Sequence, residues 1–226
     1  MRTIVVGDIH GCHKEVKLLI SQLQEQGKYD PMSDKLVFIG DYIDRGDDPR
    51  LTVRYVRSLQ DKYGDKIIPL KGNHEQMLID FMNDESISWL FNGSGRTRFS
   101  YKGYESEFDE DKDWMARLPL YYEDEHFIYV HAGVDKEKPL ELQPHETLLW
   151  AREDFYCNPI AYDKRIIFGH TPTMYIENSH KPLWLNGSQD IAIDTGCVYG
   201  GKLTALIIED DKILEYYQVD RIKDES

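Results

Sequence analysis

The stretch FIGDYIDRGDD, Phe38 to Asp48, decides how this chain is read. The apolar run Leu36-Val37-Phe38-Ile39 has the character of a buried strand, stops at Gly40, and then presents Asp41, Asp44 and Arg45 in quick succession. A loop that needed only solubility has no reason to gather two carboxylates and a guanidinium at the end of a buried segment.

The same figure recurs on both sides. Ile4-Val5-Val6 leads to Gly7-Asp8, and Ile67-Ile68-Pro69-Leu70 leads, after Lys71, to Gly72-Asn73. Asp8 to Asp41 is 33 positions and Asp41 to Asn73 is 32, about one βαβ unit each time. The segments between have helical periodicity. His13 to Gln26 carries Val16, Leu19, Ile20 and Leu23 on one stripe. Asp48-Pro49 reads as an N-cap followed by proline at the first helical position, with Gly64 as the C-terminal stop. His74 to Met82 places Met77, Leu78 and Phe81 on one side. Strand, loop and helix three times over predict parallel strands joined by right-handed crossovers. The three loops then share the carboxyl edge of the sheet, where open α/β sheets bind ligands.

The second half differs. Residues 84–118 are polar and glycine-rich, including NGSGRTRFSYKGY, and read as a long loop or a cap of short helices. Strand-like runs then return: Phe127-Ile128-Tyr129-Val130 ends at His131, Arg165-Ile166-Ile167-Phe168 at Gly169-His170, and Ile191-Ala192-Ile193 at Asp194. Residues 203–208 and 213–217, separated by Glu209-Asp210-Asp211-Lys212, predict a closing antiparallel hairpin. The pattern is a parallel sheet followed by a more antiparallel one, two facing sheets with helices outside, in one domain over 1–226.

Lys and Arg number 27 against 41 Asp and Glu, a formal net charge of −14. That disfavours extended nucleic acid and anionic membranes as partners, but not a small anionic substrate where local cations prevail. No run approaches a membrane span, no signal-peptide pattern opens the chain, and Cys12, Cys157 and Cys197 show no CxxC spacing. A reducing cytoplasm fits, with the cysteines as small core fillers. Acidic runs such as Asp109-Glu110-Asp111 read as solvated faces. The four tryptophans, Trp89, Trp114, Trp150 and Trp184, read as packing residues.

Six strand-end residues stand out: Asp8, His10, Asp41, Asn73, His131 and His170. All offer oxygen or imidazole donors and none a thiolate, a set suited to Mn, Fe or Zn and, because of the histidines, not to Ca. Six exceed the needs of one ion that keeps positions open for water. They suit two ions sharing a carboxylate, with Asp41 on the central strand as the natural bridge. Two such ions, about 3.5–4 Å apart, can hold a hydroxide and clamp a phosphoryl group. Asp44 can then orient His74, which leaves Asn73 in another direction, as a general acid kept imidazolium by the carboxylate, and Arg45 offers a planar fork to phosphate oxygens.

Together, GDIHG (7–11), GDYIDRG (40–46) and GNHE (72–75) resemble the signature of the PPP phosphoprotein phosphatases, within the calcineurin-like metallophosphoesterases. The later HAG (131–133), LLWARE (148–153), FGHTP (168–172) and IDTG (193–196) are similar to the phage-lambda type and small bacterial serine/threonine protein phosphatases, and the likeness spans about residues 4–204. Eukaryotic members usually carry a second glycine where Ala132 stands, and their long C-terminal aromatic loop has no counterpart here. The resemblance implies a four-layer α/β/β/α sandwich of two mixed sheets with flanking helices. It implies two divalent ions, often Mn with Fe or Zn as alternatives. One would be held by Asp8, His10 and Asp41, the other by Asp41, Asn73, His131 and His170. His74 with Asp44 would be the proton-donating pair, and Arg152 of LLWARE would join Arg45 on phosphate. Arg96, in the glycine-rich stretch, is a weaker candidate for substrate contact.

The expected function is therefore hydrolysis of phosphoserine and phosphothreonine in proteins, a metal-held hydroxide attacking phosphorus directly with no phosphoenzyme. Symmetrical cleavage of diadenosine tetraphosphate is the alternative on the same chemistry. A non-catalytic module of the same fold is a third reading, against which the intact ligand set argues. A nuclease lacks the basic, aromatic-interleaved track it would need.

Overall fold

Residues 1–222 are described by the computed structural model of the protein. Strand β1 (Arg2–Val6) has Ile4 and Val6 on one face and Val5 on the other, and β2 (Lys35–Phe38) repeats this with Leu36 and Phe38 against Val37. That period-2 split assigns the layers. Ile4, Val6, Leu36 and Phe38 pack beneath helices α1 (His13–Glu25) and α2 (Pro49–Tyr63), against Val16, Leu19, Ile20, Val53 and Val56. Val5, Val37 and Ile39 face a second sheet through Phe127, Tyr129, Ile167 and Ile191. On that sheet's far side Ile128, Val130, Ile166 and Phe168 are covered by Leu148 and Phe155. The result is helix, sheet, sheet, helix.

The first sheet adds β3 (Ile67–Pro69), β9 (Lys202–Glu209) and β10 (Lys212–Asp220) in the order β10-β9-β1-β2-β3. The pairs β1–β2 and β2–β3 are parallel, as the 33- and 32-residue spacing predicts. The second sheet orders β4 (Tyr121–Glu123), β5 (Phe127–Val130), β6 (Arg165–Phe168), β8 (Asp190–Ala192) and β7 (Leu183–Leu185) as β4-β5-β6-β8-β7. Its three inner strands are parallel and only the edges antiparallel. The predicted closing hairpin forms, but β9 adds to the first sheet beside β1. Both sheets are thus mixed, and the second is less antiparallel than the sequence pattern suggests. Strand propensity identifies a strand without identifying its neighbour.

Helix α2 starts where expected: the Asp48 carboxylate accepts from Leu51 N at 2.9 Å, Pro49 occupies the first turn, and Gly64 stops it at φ 62°. Helix α3 (Asn73–Met82) follows β3. Residues 84–118 form a cap of short helices, with a turn at Ser88–Phe91, then α4 (Ser94–Ser100) and α5 (Glu105–Ala116). Trp89, Trp114 and Met115 drive it into the helix-side core. Further along the chain lie the short α-helices α6 (His145–Trp150), α7 (Glu153–Tyr156) and α8 (Thr173–Glu177). No helix among the described residues is long and apolar enough to cross a membrane.

Two readings need correction. Cys157 is exposed, so only Cys12 and Cys197 fill the core. Asp111 is not part of a solvated face: it is fully buried, accepting from Arg57 and, at 3.3 Å, from Arg54 on α2, and from Tyr101 Oη at 2.8 Å. The run faces water with Asp109 and Glu110 and turns Asp111 inward, because a helix points consecutive residues in different directions. With Arg50–Glu107 at 3.0 Å, this network pins the cap to α2. Replacing Asp111 with Ala leaves a buried tyrosine hydroxyl and two arginines short of an acceptor. It is expected to lower the unfolding free energy by about 2 kcal/mol in urea denaturation.

Candidate functional site

The loops after β1, β2, β3, β5, β6 and β8 open on one edge of the stacked sheets. Asp8 and His10 follow β1, Asp41 follows β2, Asn73 begins α3, His131 follows β5 and His170 follows β6. All six are at most 7% exposed. Backbone hydrogen bonds lock the loops together: His10 N donates to the Asp41 carbonyl (2.7 Å), Gly11 N to Tyr42 O (2.9 Å) and Gly169 N to His131 O (2.8 Å). Side chains complete the lacing, with His74 N donating to Asp41 Oδ1 and His170 N to Asp8 Oδ2, both at 3.0 Å.

Glu75 is the buried keystone of the Asp41 turn. Its Oε2 accepts from Asp41 N and Gly72 N at 2.9 Å, and its Oε1 from Tyr42 N at 2.8 Å and Ile43 N at 3.3 Å. Burial and the nearby Asp41 charge raise its carboxyl, while the backbone donors of Tyr42, Gly72 and Ile43 favour the ionised form that accepts from all of them. Tight packing demands glycine close by: a Cβ on Gly72 would meet Asp41 Oδ1 at 2.1 Å, and one on Gly169 would meet Asp8 Oδ1 at 2.0 Å. His10, Asp41, Asp44, Arg45 and His170 all have positive φ, between 46° and 69°. Side-chain residues reach that region at a cost of order 1–3 kcal/mol each, so their gathering at one edge marks a place where local stability has yielded to geometry.

The imidazoles are aimed. His10 Nδ1 donates to Ile43 O (2.9 Å), turning Nε2 toward Asp41 Oδ2 at 3.2 Å. His131 Nδ1 donates to Ile39 O (2.9 Å), turning Nε2 to within 3.6 Å of Asp41 Oδ1 and 2.8 Å of Asn73 Oδ1. His170 Nδ1 lies 3.0 Å from the same Asn73 oxygen. A backbone carbonyl that fixes one ring nitrogen leaves the other as a directed lone pair, the usual support of a metal-binding histidine. Asp8 Oδ1 and His170 Nε2 are buried without a partner, a costly state that a cation relieves. Donor atoms of Asp8, Asp41 and His131 lie within 4.8 Å of one another, as do those of His10, Asp41 and His74. The six residues fit divalent cations.

Burial, then Asp194 and Asp41, raise the Asp8 carboxyl well above its ordinary range. Burial also works to raise Asp41, but His131, His74 and His10 together hold it well below. Burial pushes Asp194 up to about 6. Asp194, after β8, closes the acidic pocket, and its Oδ1 accepts from Gly196 N at 3.0 Å. It received no role from sequence, although its strand-end position is the signal that picked out the other six.

His74 Nδ1 pairs with Asp44 Oδ2 at 2.6 Å, as the sequence predicts. Burial outweighs the raising effect of Asp41 and Asp44 and holds the ring below its ordinary pKa, and a ring so placed is the stronger acid once protonated. Sequence reading missed what holds Asp44. Trp89 Nε1 donates to both its oxygens, at 3.0 and 3.1 Å, and Thr97 Oγ1 lies 2.5 Å from Oδ1. Both come from the cap, 45 and 53 residues away, and only its folding joins them to Asp44.

Arg45 Nη1 donates to His10 Nε2 at 2.7 Å, and Arg152, exposed between α6 and α7, donates to Thr171 Oγ1 at 3.1 Å. Both line a cleft of about 110 Å³ with Asp41, Asn73, His74 and His170, rimmed by Asn92, Trp150, Pro172, Tyr175 and Tyr199. Arg96 is exposed and lies outside that lining.

Residues 1–223 match the calcineurin-like phosphoesterase family. Serine/threonine-protein phosphatase 1 of Salmonella typhimurium is 32% identical over 220 residues, covering 91% of each chain. A symmetrical bis(5'-nucleosyl)-tetraphosphatase of Actinobacillus succinogenes is 24% identical over 294 residues, covering 94% of this chain and 96% of its own. The solved cold-active protein-tyrosine phosphatase of a psychrophilic Shewanella shares the fold at a TM-score of 0.66 and 16% identity, over 98% of this chain and 80% of its own.

Glu75→Gln exchanges one acceptor oxygen for a donor that faces two backbone N–H groups. We expect a loss of about 2–4 kcal/mol in stability, read by chemical denaturation.

Proposed function

This chain belongs to the calcineurin-like phosphoesterase family, and we propose that it is a dinuclear-metal phosphomonoesterase acting on phosphoserine and phosphothreonine in proteins. The observation that carries this reading is the meeting of Asp8, His10, Asp41, Asn73, His131 and His170 beneath a cleft lined by Arg45 and Arg152. Asp8, His10 and Asp41 would hold one divalent ion, and Asp41, Asn73, His131 and His170 the other, with Mn the first choice and Fe or Zn as alternatives. Such a pair supplies an activated water near neutral pH and neutralises charge on the phosphoryl group.

The side chains do the rest. Arg45 and Arg152 grip phosphate oxygens and orient the ester for in-line attack, the planar guanidinium suiting two oxygens at once. His74, held by Asp44, gives its proton to the departing oxygen. Asp44 cannot swing away, because Trp89 and Thr97 hold it from the other side. The 32% identity to a bacterial serine/threonine phosphatase supports the choice of substrate.

A second reading, hydrolysis of dinucleoside polyphosphates such as diadenosine tetraphosphate, is favoured by the rim. Trp150, Tyr175 and Tyr199 are 40%, 66% and 45% exposed at the cleft mouth, where a base could stack. The tetraphosphatase relative supports it too. With Mn added, kcat/KM on a phosphoserine peptide is expected to exceed that on diadenosine tetraphosphate; the reverse order, with two ADP as products, would establish the second reading instead. Inactivity on both and on generic phosphoesters would leave a non-catalytic module. Asp41→Asn is expected to lose both activity and the thermal stabilisation that Mn confers. His74→Asn should lower kcat on phenyl phosphate by about 10²-fold or more, with a much smaller effect on the well-activated 2,4-dinitrophenyl ester. Equal losses on both would remove His74 from the proton-donor role.

A further inference from the structure

A second groove, of about 410 Å³, opens on the cap away from the catalytic cleft. Its walls are aromatic: Phe81 lies 5.3 Å from Trp89 between ring centroids, and Tyr101 lies 5.1 Å from Phe108. Arg98 and Lys102 stand exposed at its mouth, and neither side chain has an ion pair among the described residues. On a chain of net charge −14, two uncommitted cations beside an apolar slot form a local exception. The one acid on the lining, Glu105, accepts from Gly103 N at 3.0 Å. A groove of this size with apolar walls and a few charged groups suits a small molecule.

Trp89 belongs to both sites. Its ring is part of the groove lining, while its Nε1 donates to both oxygens of Asp44, the partner of His74. We propose that this groove binds a small aromatic anion, with its ring among Phe81, Trp89, Tyr101 and Phe108 and its charge on Arg98 and Lys102, and that the occupant steadies the indole that orients Asp44. The binding stands independently of the proposed activity; only the consequence for turnover rests on that reading. An occupant that favours the Trp89–Asp44 geometry shifts the population toward it, and can do so only through such differential contact.

The probe is 2-naphthoate, titrated by calorimetry and by the indole N–H signals of 15N-labelled full-length protein, assigned with single Trp→Phe variants. Saturable one-to-one binding that moves the Trp89 signal and leaves those of Trp150 and Trp184 in place is expected. The double variant Arg98→Ala/Lys102→Ala should weaken it at least about tenfold, and the neutral alcohol 2-naphthalenemethanol should bind correspondingly less well. Absent binding at millimolar probe, an unaltered affinity in the double variant, or a shift at Trp150 in place of Trp89 would each overturn the site. With Mn present, saturating 2-naphthoate should raise kcat on phenyl phosphate; binding at Trp89 without any change in turnover would keep the site and remove the coupling. Inactivity of the unliganded enzyme on every phosphoester would count against the proposed function and leave the binding result intact.

Discussion

A single carboxylate carries the geometry of this edge. Glu75 accepts four backbone N–H groups, three of them from the turn that follows β2 and one from the approach to α3. Those donors include residues whose side chains must point elsewhere: Asp41 toward His10 and His131, Tyr42 and Ile43 into the core. A buried turn has no water to satisfy its amides, so something inside must do it. A side chain with two oxygens and four lone-pair sites does so in one stroke, and it turns two loops into one rigid body. The left-handed backbone at Asp41, Asp44 and Arg45 is tolerable because this anchor, with Gly93 O accepting from Arg45 N and Thr97 Oγ1 from Asp44 N, over-determines the turn.

The pocket beside it is built against its own electrostatics. Asp8, Asp41 and Asp194 are buried within reach of one another, with Arg45 the nearby guanidinium. Burial first, and neighbouring like charges after it, oppose ionisation and raise Asp8 and Asp194, while the imidazoles keep Asp41 low. The tension is of the kind that divalent cations resolve, and folding stability elsewhere, in three apolar layers, holds the arrangement together.

Much of this was legible in the chain itself. The Asp48-Pro49 start and Gly64 stop of α2 are local chemistry, and the 33- and 32-residue recurrence of strand and loop places Asp8, Asp41 and Asn73 on one edge by topology alone. The pairing of His74 with Asp44 was readable because both residues sit beside the conspicuous loop motifs. What escaped was long-range or directional. Trp89 and Thr97 reach Asp44 only through a cap whose composition resembles a loop. Asp111 differs from Asp109 by its direction on a helix, which a charge count does not see. Glu75 stands in a quoted motif, yet its task, satisfying amides some 30 residues back, has no signature in residue type. The neighbour of β9 likewise depends on which edge was left free, a property of the assembled sheet.

That last pairing bears on how the chain reaches its native state. β1 lies between β2, about 30 residues downstream, and β9, about 200 residues downstream, so one edge of β1 waits for a strand far along the chain before it is covered. Contacts of such sequence separation make folding slow and leave a bare strand edge during translation. An emerging chain therefore has the means to form its first helices early, but not the finished sheet, and its vulnerable interval on the ribosome lasts until residues 202–209 are free to dock.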